Sequence, residues 1–254
     1  MQSFLLFDVS YNHFYILFIG SATSLLYALH RLVGIDLVGR YKYTGRFGKI
    51  YKMRLLLLFI GLVTAVLTWI FFLKLGIKVQ VTLIVPGIIS ILYVLPIFAG
   101  KRLRDLPLIK IFLVAIVYAY VCVFIPGMMV DFHIYPVLLL FFGRLFFIFG
   151  ITIPFDIRDV NIDGETEVKT LISQLGIKSS KGLAIGMLIL ALTLSWIFIS
   201  YTQLPFQYVI PEITVHIICI LLVYYANAHR SDFYYAFLLD GTMGLFVIIH
   251  GLLA

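Results

Sequence analysis

Three carboxylates at spacing i, i+3 and i+7 stand out in the segment Phe155-Asp156-Ile157-Arg158-Asp159-Val160-Asn161-Ile162-Asp163-Gly164. On a continuous helix, about 100° per residue places Asp156, Asp159 and Asp163 within roughly a 60° arc along about 10 Å of one face. Charges of one sign that close repel unless a cation neutralises them. Hard oxygen ligands suit magnesium, which is normally held by one or two carboxylates together with substrate phosphates. The chemistry expected here is a magnesium-bridged phosphate site on Asp156, Asp159 and Asp163. The competing reading is a solvated acidic helix end, its charges met by Arg158, Lys169 and lipid headgroups.

The elements that must carry this cluster follow from composition. Of 254 residues, 63% are apolar and 12% charged, against about 45–50% and about 25% in soluble domains. That excludes a water-soluble globule. Apolar runs long enough to span a bilayer lie near 11–33, 51–75, 80–99, 108–130, 134–155, 180–201, 208–227 and 232–253. Their length fits helices, not the roughly ten-residue alternating strands of a membrane barrel. The expected fold is an all-α polytopic membrane bundle of about eight spans, forming one integral-membrane domain over 1–254. The acidic cluster falls where the fifth span ends.

Charge sets the expected orientation. Sixteen of the nineteen Lys and Arg residues follow the first, third, fifth and seventh spans, which the positive-inside rule assigns to the cytoplasm. Lys74 and Lys78 lie opposite, and Arg144 lies within a span. Both termini then face outward, and the expected location is the plasma (inner) membrane. The formal charge of +7 is a topology signal of this kind and implies no nucleic-acid partner. Met1-Gln2-Ser3 lacks the basic start of a signal peptide, so the first span is expected to be retained. Cys122 and Cys219 sit inside apolar runs and are expected to be packing residues.

Other polar residues interrupt the spans. Arg144 lies about 18 Å of helix before Asp156, too far to pair with it, and is expected to snorkel or to bond an adjacent carbonyl. His216, Asp240 and His250 are expected to bond neighbouring helices, while Asn227, His229, Arg230 and Asp232 flank the seventh connection and could border a pocket. Pro154 is expected to break the regular hydrogen bonding and turn the helix end inward. Pro86, Pro96 and Pro126 could kink their spans likewise. The 23 Phe and 16 Tyr would suit an aromatic-walled isoprenoid channel, or lipid-facing packing and interfacial belts.

At the acidic cluster the chain resembles the UbiA-type intramembrane prenyltransferases. Their second acidic motif, D-x-x-D-x-x-x-D followed by Lys-Thr-Leu and Leu-Gly, reads here as Asp156, Asp159 and Asp163, then Lys169-Thr170-Leu171 and Leu175-Gly176. Lys101-Arg102 followed by Leu106-Pro107 is similar to the pattern after the family's fourth helix. The resemblance implies a nine-helix bundle with its acidic motifs on cytoplasmic loops. The eight spans here match the family's second to ninth, and its first helix is expected to be absent.

The first acidic motif, N-D-x-x-D-x-x-x-D, departs from the family. It places the Asn on His30 and its three Asp on Arg31, Gly34 and Val38. Asp36 is nearby but turned about 200° from the expected face. The family Tyr four residues before Lys101 is Ile97, with Tyr93 one turn earlier.

The resemblance implies magnesium-dependent transfer of a prenyl group from a polyprenyl diphosphate to a lipophilic acceptor. With one motif degenerate, a single magnesium on Asp156, Asp159 and Asp163 is expected, with Arg31, Lys101 and Arg102 binding the diphosphate. Arg31 would partly replace the lost metal, because a guanidinium binds phosphate bidentately and keeps its charge. Snorkelling toward headgroups is the simpler role for Arg31. The alternative function is a non-catalytic isoprenoid- or lipid-binding or scaffold protein of the same fold. A transporter finds little support, because the charges gather on one face.

Overall fold

The computed structural model describes residues 2–37, 43, 45–96, 102–106, 109–165 and 170–253. All regular elements among the described residues are helical: α1 (Gln2–Leu6), α2 (His13–Leu37), α3 (Gly45–Lys52), α4 (Arg54–Leu73), α5 (Ile77–Val94), α6 (Ile109–Ala119), α7 (Ile125–Met129), α8 (Ile134–Glu165), α9 (Leu171–Tyr201), α10 (Val209–Tyr225) and α11 (Asp240–Leu253), with short 3₁₀ and π stretches between some of them. Among the described residues, eight helical segments are long and apolar enough to cross a bilayer: His13–Ile35, Arg54–Leu73, Ile77–Val94, Ile109–Met129, Ile134–Val160, Leu171–Tyr201, Phe206–Tyr225 and Tyr234–Leu253. The all-α fold with eight spans is thus borne out.

The chain divides into two compact units, Tyr11–Arg104 and Met1–Ser10 with Asp105–Ala254. In the first, α2 packs along α4. Ala28 is fully buried, and a methyl group on Gly61 would stand 3.6 Å from its Cβ, so small residues set the helix spacing. Phe18 and Phe72 pack 5.8 Å apart between ring centroids. Gln80 Nε2 donates to the carbonyls of Phe72 and Leu75, both at 3.0 Å, tying α5 to the end of α4. The rest of α4 turns outward, with Leu55, Leu62 and Trp69 largely exposed, as suits a face solvated by lipid.

In the second unit, α8 is the central element and α9 lies against it. A Cβ on Gly150 would approach the Ala184 carbonyl oxygen to 2.9 Å, and one on Gly143 would meet that of Ala191 at 3.6 Å. Two glycines seven residues apart thus form a seam on which α9 rests. The core on this seam includes Phe147, Ile148, Ile151, Ile157, Ala184 and Leu188.

Several local expectations are corrected. The helix does not break at Pro154; α8 continues through it to Glu165. A proline removes one hydrogen bond, and the packing of α9 on the adjoining turns holds the helix together. Pro86 likewise sits inside a continuous α5, whereas Pro96 ends its span: Leu95 before it is extended, with ψ 137°. Pro126 follows a π-helical stretch, Tyr120–Phe124, in which the Ile125 N–H reaches the Tyr120 carbonyl.

The sixth span begins at Leu171, nine residues before the expected start near 180. Thr170 caps it: its side chain accepts from the Ser173 N–H at 3.3 Å while Ser173 Oγ accepts from the Thr170 N–H at 3.0 Å. Gly176 then bends the element with φ 76° and ψ 164°, a conformation that glycine alone adopts readily.

Candidate functional site

The unbroken course of α8 puts Asp156, Asp159 and Asp163 on consecutive turns of one helix. The side chain of Asp163 lies outside the described residues. Asp156 is buried, its side chain 3% exposed, on a stretch of α8 where Ile153 and Ile157 are also fully buried. Its Oδ1 accepts from Lys110 Nζ at 2.5 Å, and Lys110 belongs to the first turn of α6. Asp159 is held by its own neighbour: Arg158 Nε donates to Oδ1 at 2.9 Å and an Arg158 terminal nitrogen donates to Oδ2 at 3.0 Å. The guanidinium carbon of Arg158 lies 5.1 Å from the Phe155 ring centroid and 5.5 Å from that of Tyr235.

Aromatic hydroxyls brace the far side of this corner. Tyr235 donates to the Asn227 carbonyl at 2.6 Å, and Tyr234 donates to the Leu222 carbonyl. Asn227 Oδ1 accepts from the His229 N–H at 3.0 Å, so Asn227 builds the turn after α10. Lys181 Nζ and Arg230 Nε donate to the last carbonyls of α10, at 2.8 Å to Tyr224 and 3.3 Å to Tyr225, a favourable place for cations.

The donor chemistry fits a hard divalent cation. Two carboxylates one turn apart are a usual protein contribution to magnesium, the remaining ligands being water and phosphate oxygens. Among the described residues no group of three or more His, Cys, Asp and Glu side chains gathers as a metal cage. Both described carboxylates carry a cation from the chain itself, so a metal at Asp156 must compete with Lys110.

In the Tyr11–Arg104 unit, Arg31 lies over the ring of Tyr27, one turn back along α2, at 5.0 Å. Arg102 comes to the same stretch: its Nη1 would be 3.8 Å from a Cβ on Gly34. Arg31 and Arg102 are therefore brought to neighbouring turns of α2. Gly34, which has no side chain, leaves room for the Arg102 guanidinium. Arg104 stacks on Tyr93 at 5.6 Å. Lys101 and Ile97, and the side chain of Asp36, lie outside the described residues.

A third group of charges is dry. Arg144 does not snorkel; it is bonded to Glu212 of α10 through two nitrogens, at 2.6 Å to Oε1 and 3.3 Å to Oε2, with side-chain exposures of 5% and 1%. Gln2 of α1 also donates to Glu212 Oε1 at 2.8 Å, and the Arg144 guanidinium carbon lies 4.4 Å from the Phe246 ring centroid. His216 and His250 do not bond neighbouring helices. Each uses Nδ1 on the carbonyl four residues earlier in its own helix, Glu212 at 2.7 Å and Phe246 at 2.6 Å. Sequence reasoning missed Glu212, although a lone carboxylate in one span and a lone arginine in another are a signal to pair them. It also missed Lys110, read there only as one more basic residue beside a span.

No family profile matches the chain, and no curated protein matches it. A solved structure of digeranylgeranylglyceryl phosphate synthase in membranes is similar in fold, with a TM-score of 0.59 over 93% of this chain and 82% of that one, at 19% sequence identity. The chain is an integral membrane protein with the fold of a membrane prenyltransferase.

Proposed function

We propose that the protein is a UbiA-like prenyltransferase that moves a prenyl group from a polyprenyl diphosphate to a lipophilic acceptor at the cytoplasmic face of the plasma membrane. The observation that carries this reading is the acidic end of α8: Asp156 and Asp159 lie one turn apart in a fold similar to that of a digeranylgeranylglyceryl phosphate synthase. Asp156, Asp159 and Asp163 would hold magnesium, and Arg31, Lys101 and Arg102 would bind diphosphate. Magnesium bound there supplies stabilisation of the charge that develops on the departing diphosphate. In the transfer, the allylic C–O bond breaks with its electron pair leaving on the diphosphate. The acceptor's nucleophilic atom bonds the allylic carbon, and its proton passes to water.

The pairing of both described carboxylates with Lys110 and Arg158 favours a second reading, a protein of this fold that binds an isoprenoid or lipid without turnover. Titration in lipid nanodiscs with a non-hydrolysable prenyl diphosphate analogue, with and without magnesium, tests the first. Magnesium-dependent binding lost in Asp159→Ala supports it, and no binding under any condition sinks it. Diphosphate release from a true prenyl diphosphate, with a lipophilic acceptor present, separates enzyme from binder.

A further inference from the structure

The Asp156 carboxylate is almost fully buried, and the group that compensates it is the ammonium of Lys110, 2.5 Å from Oδ1, whose side chain is 23% exposed. A buried carboxylate requires such a partner. A divalent cation on the same carboxylate would lie within about 5 Å of that ammonium, and the two would repel. Lys110 is the second residue of α6, and its partly exposed side chain is flexible enough to withdraw its head toward the polar boundary. Asp159 differs: the adjacent Arg158 pairs with it, and both side chains keep some exposure, 19% for Arg158 and 16% for Asp159.

We infer that Lys110 is a built-in competitor for the metal position at Asp156. Its ammonium holds the carboxylate in the bare protein and withdraws when a divalent cation binds. Divalent-cation affinity is therefore low in the protein alone and rises when a diphosphate brings further negative charge to the site. The inference rests on the proposed role of Asp156 as a metal ligand and makes Lys110 the residue that sets the metal requirement.

The test is manganese(II) binding to the full chain in lipid nanodiscs, followed by electron paramagnetic resonance, for wild type, Lys110→Met and Lys110→Arg. Without diphosphate, Lys110→Met is expected to bind manganese about tenfold more tightly or better, because one nearby positive charge is gone. Lys110→Arg, which keeps the charge, is expected to stay weak. The thermal midpoint of Lys110→Met falls without manganese and recovers with it, whereas a merely structural lysine gives a fall that manganese does not reverse. Lys110→Gln, uncharged but still able to donate to Asp156, gives the same comparison if the Met variant does not fold. Equal manganese affinity in wild type and the uncharged variants, binding in neither included, overturns the inference. A gain in the uncharged variants together with no binding of prenyl diphosphate by wild type overturns the transferase reading and leaves the competition standing.

Discussion

Helix α8 carries two kinds of ion pair, and their surroundings separate structure from chemistry. At Arg144 the partner comes from another helix: the Glu212 contact crosses from α8 to α10, both side chains are almost wholly buried, and Gln2 fills a further carboxylate position. At Asp159 the partner is the next residue, and both side chains are partly exposed. Asp156 stands between these cases, dry itself but paired to a lysine with access to the boundary. A dry pair that joins helices is costly to disturb and has no room for a ligand. A pair at the rim can exchange its partner for one that diffuses in. The same residue types thus serve a clamp in the bundle and a candidate site at its end.

Removing one partner of the clamp should have the largest effect. Arg144→Met leaves the buried Glu212 carboxylate without its countercharge and is expected to destabilise the protein by about 3–5 kcal/mol. Arg144→Met with Glu212→Leu should recover most of that loss in thermal unfolding. A double variant no more stable than the single would mean the ion pair is not what the arginine contributes. Diphosphate binding should respond in the opposite pattern. Asp156→Asn is expected to weaken magnesium-dependent binding of the prenyl diphosphate analogue by about 10–100-fold, the scale at which disturbing a metal's ligand shell lowers its affinity, and Arg144→Met to leave the affinity of the folded fraction unchanged. Arg31→Ala should weaken the same binding by about tenfold, the scale of one hydrogen bond to a charged group. Unchanged affinity would return Arg31 to a snorkelling role. The smallest changes belong at the start of α9. Gly176→Ala is expected to cost about 1–3 kcal/mol through its positive φ with extended ψ, and Thr170→Ala about 1 kcal/mol through loss of the cap. Both are read by thermal unfolding, and neither should alter magnesium dependence.

Much of this architecture was legible in the residues because a bilayer simplifies the problem. Length and apolarity alone reveal eight spans, and no soluble surface confuses the pattern. The three carboxylates are legible because their spacing is local and requires only that α8 be a helix. What was not legible is non-local. Lys110 is 46 residues from Asp156 and Glu212 is 68 from Arg144, and nothing in either spacing shows which helices adjoin. The helix continues through Pro154, where a break is expected, and bends at Gly176, where the sequence signals none, for a related reason. A proline in a helix is tolerated when neighbours hold the adjoining turns, whereas the glycine's role appears only in its backbone angles. The diphosphate-binding expectation is divided: Arg102 comes to Gly34, one turn beyond Arg31 on α2, while Lys101 lies outside the described residues.

Two π-helical stretches among the described residues, Tyr120–Phe124 and Tyr234–Leu239, have a further meaning for how this chain can change length. A π stretch is an α-helix carrying one surplus residue. Deleting one residue inside it restores ordinary helix and leaves the side chains on either side facing as before. The same deletion elsewhere in a span would rotate everything beyond it by about 100°. Hydrophobic spans are usually thought intolerant of insertions and deletions, yet these two stretches mark where α6 to α7 and the approach to α11 can each lose a residue and keep their register.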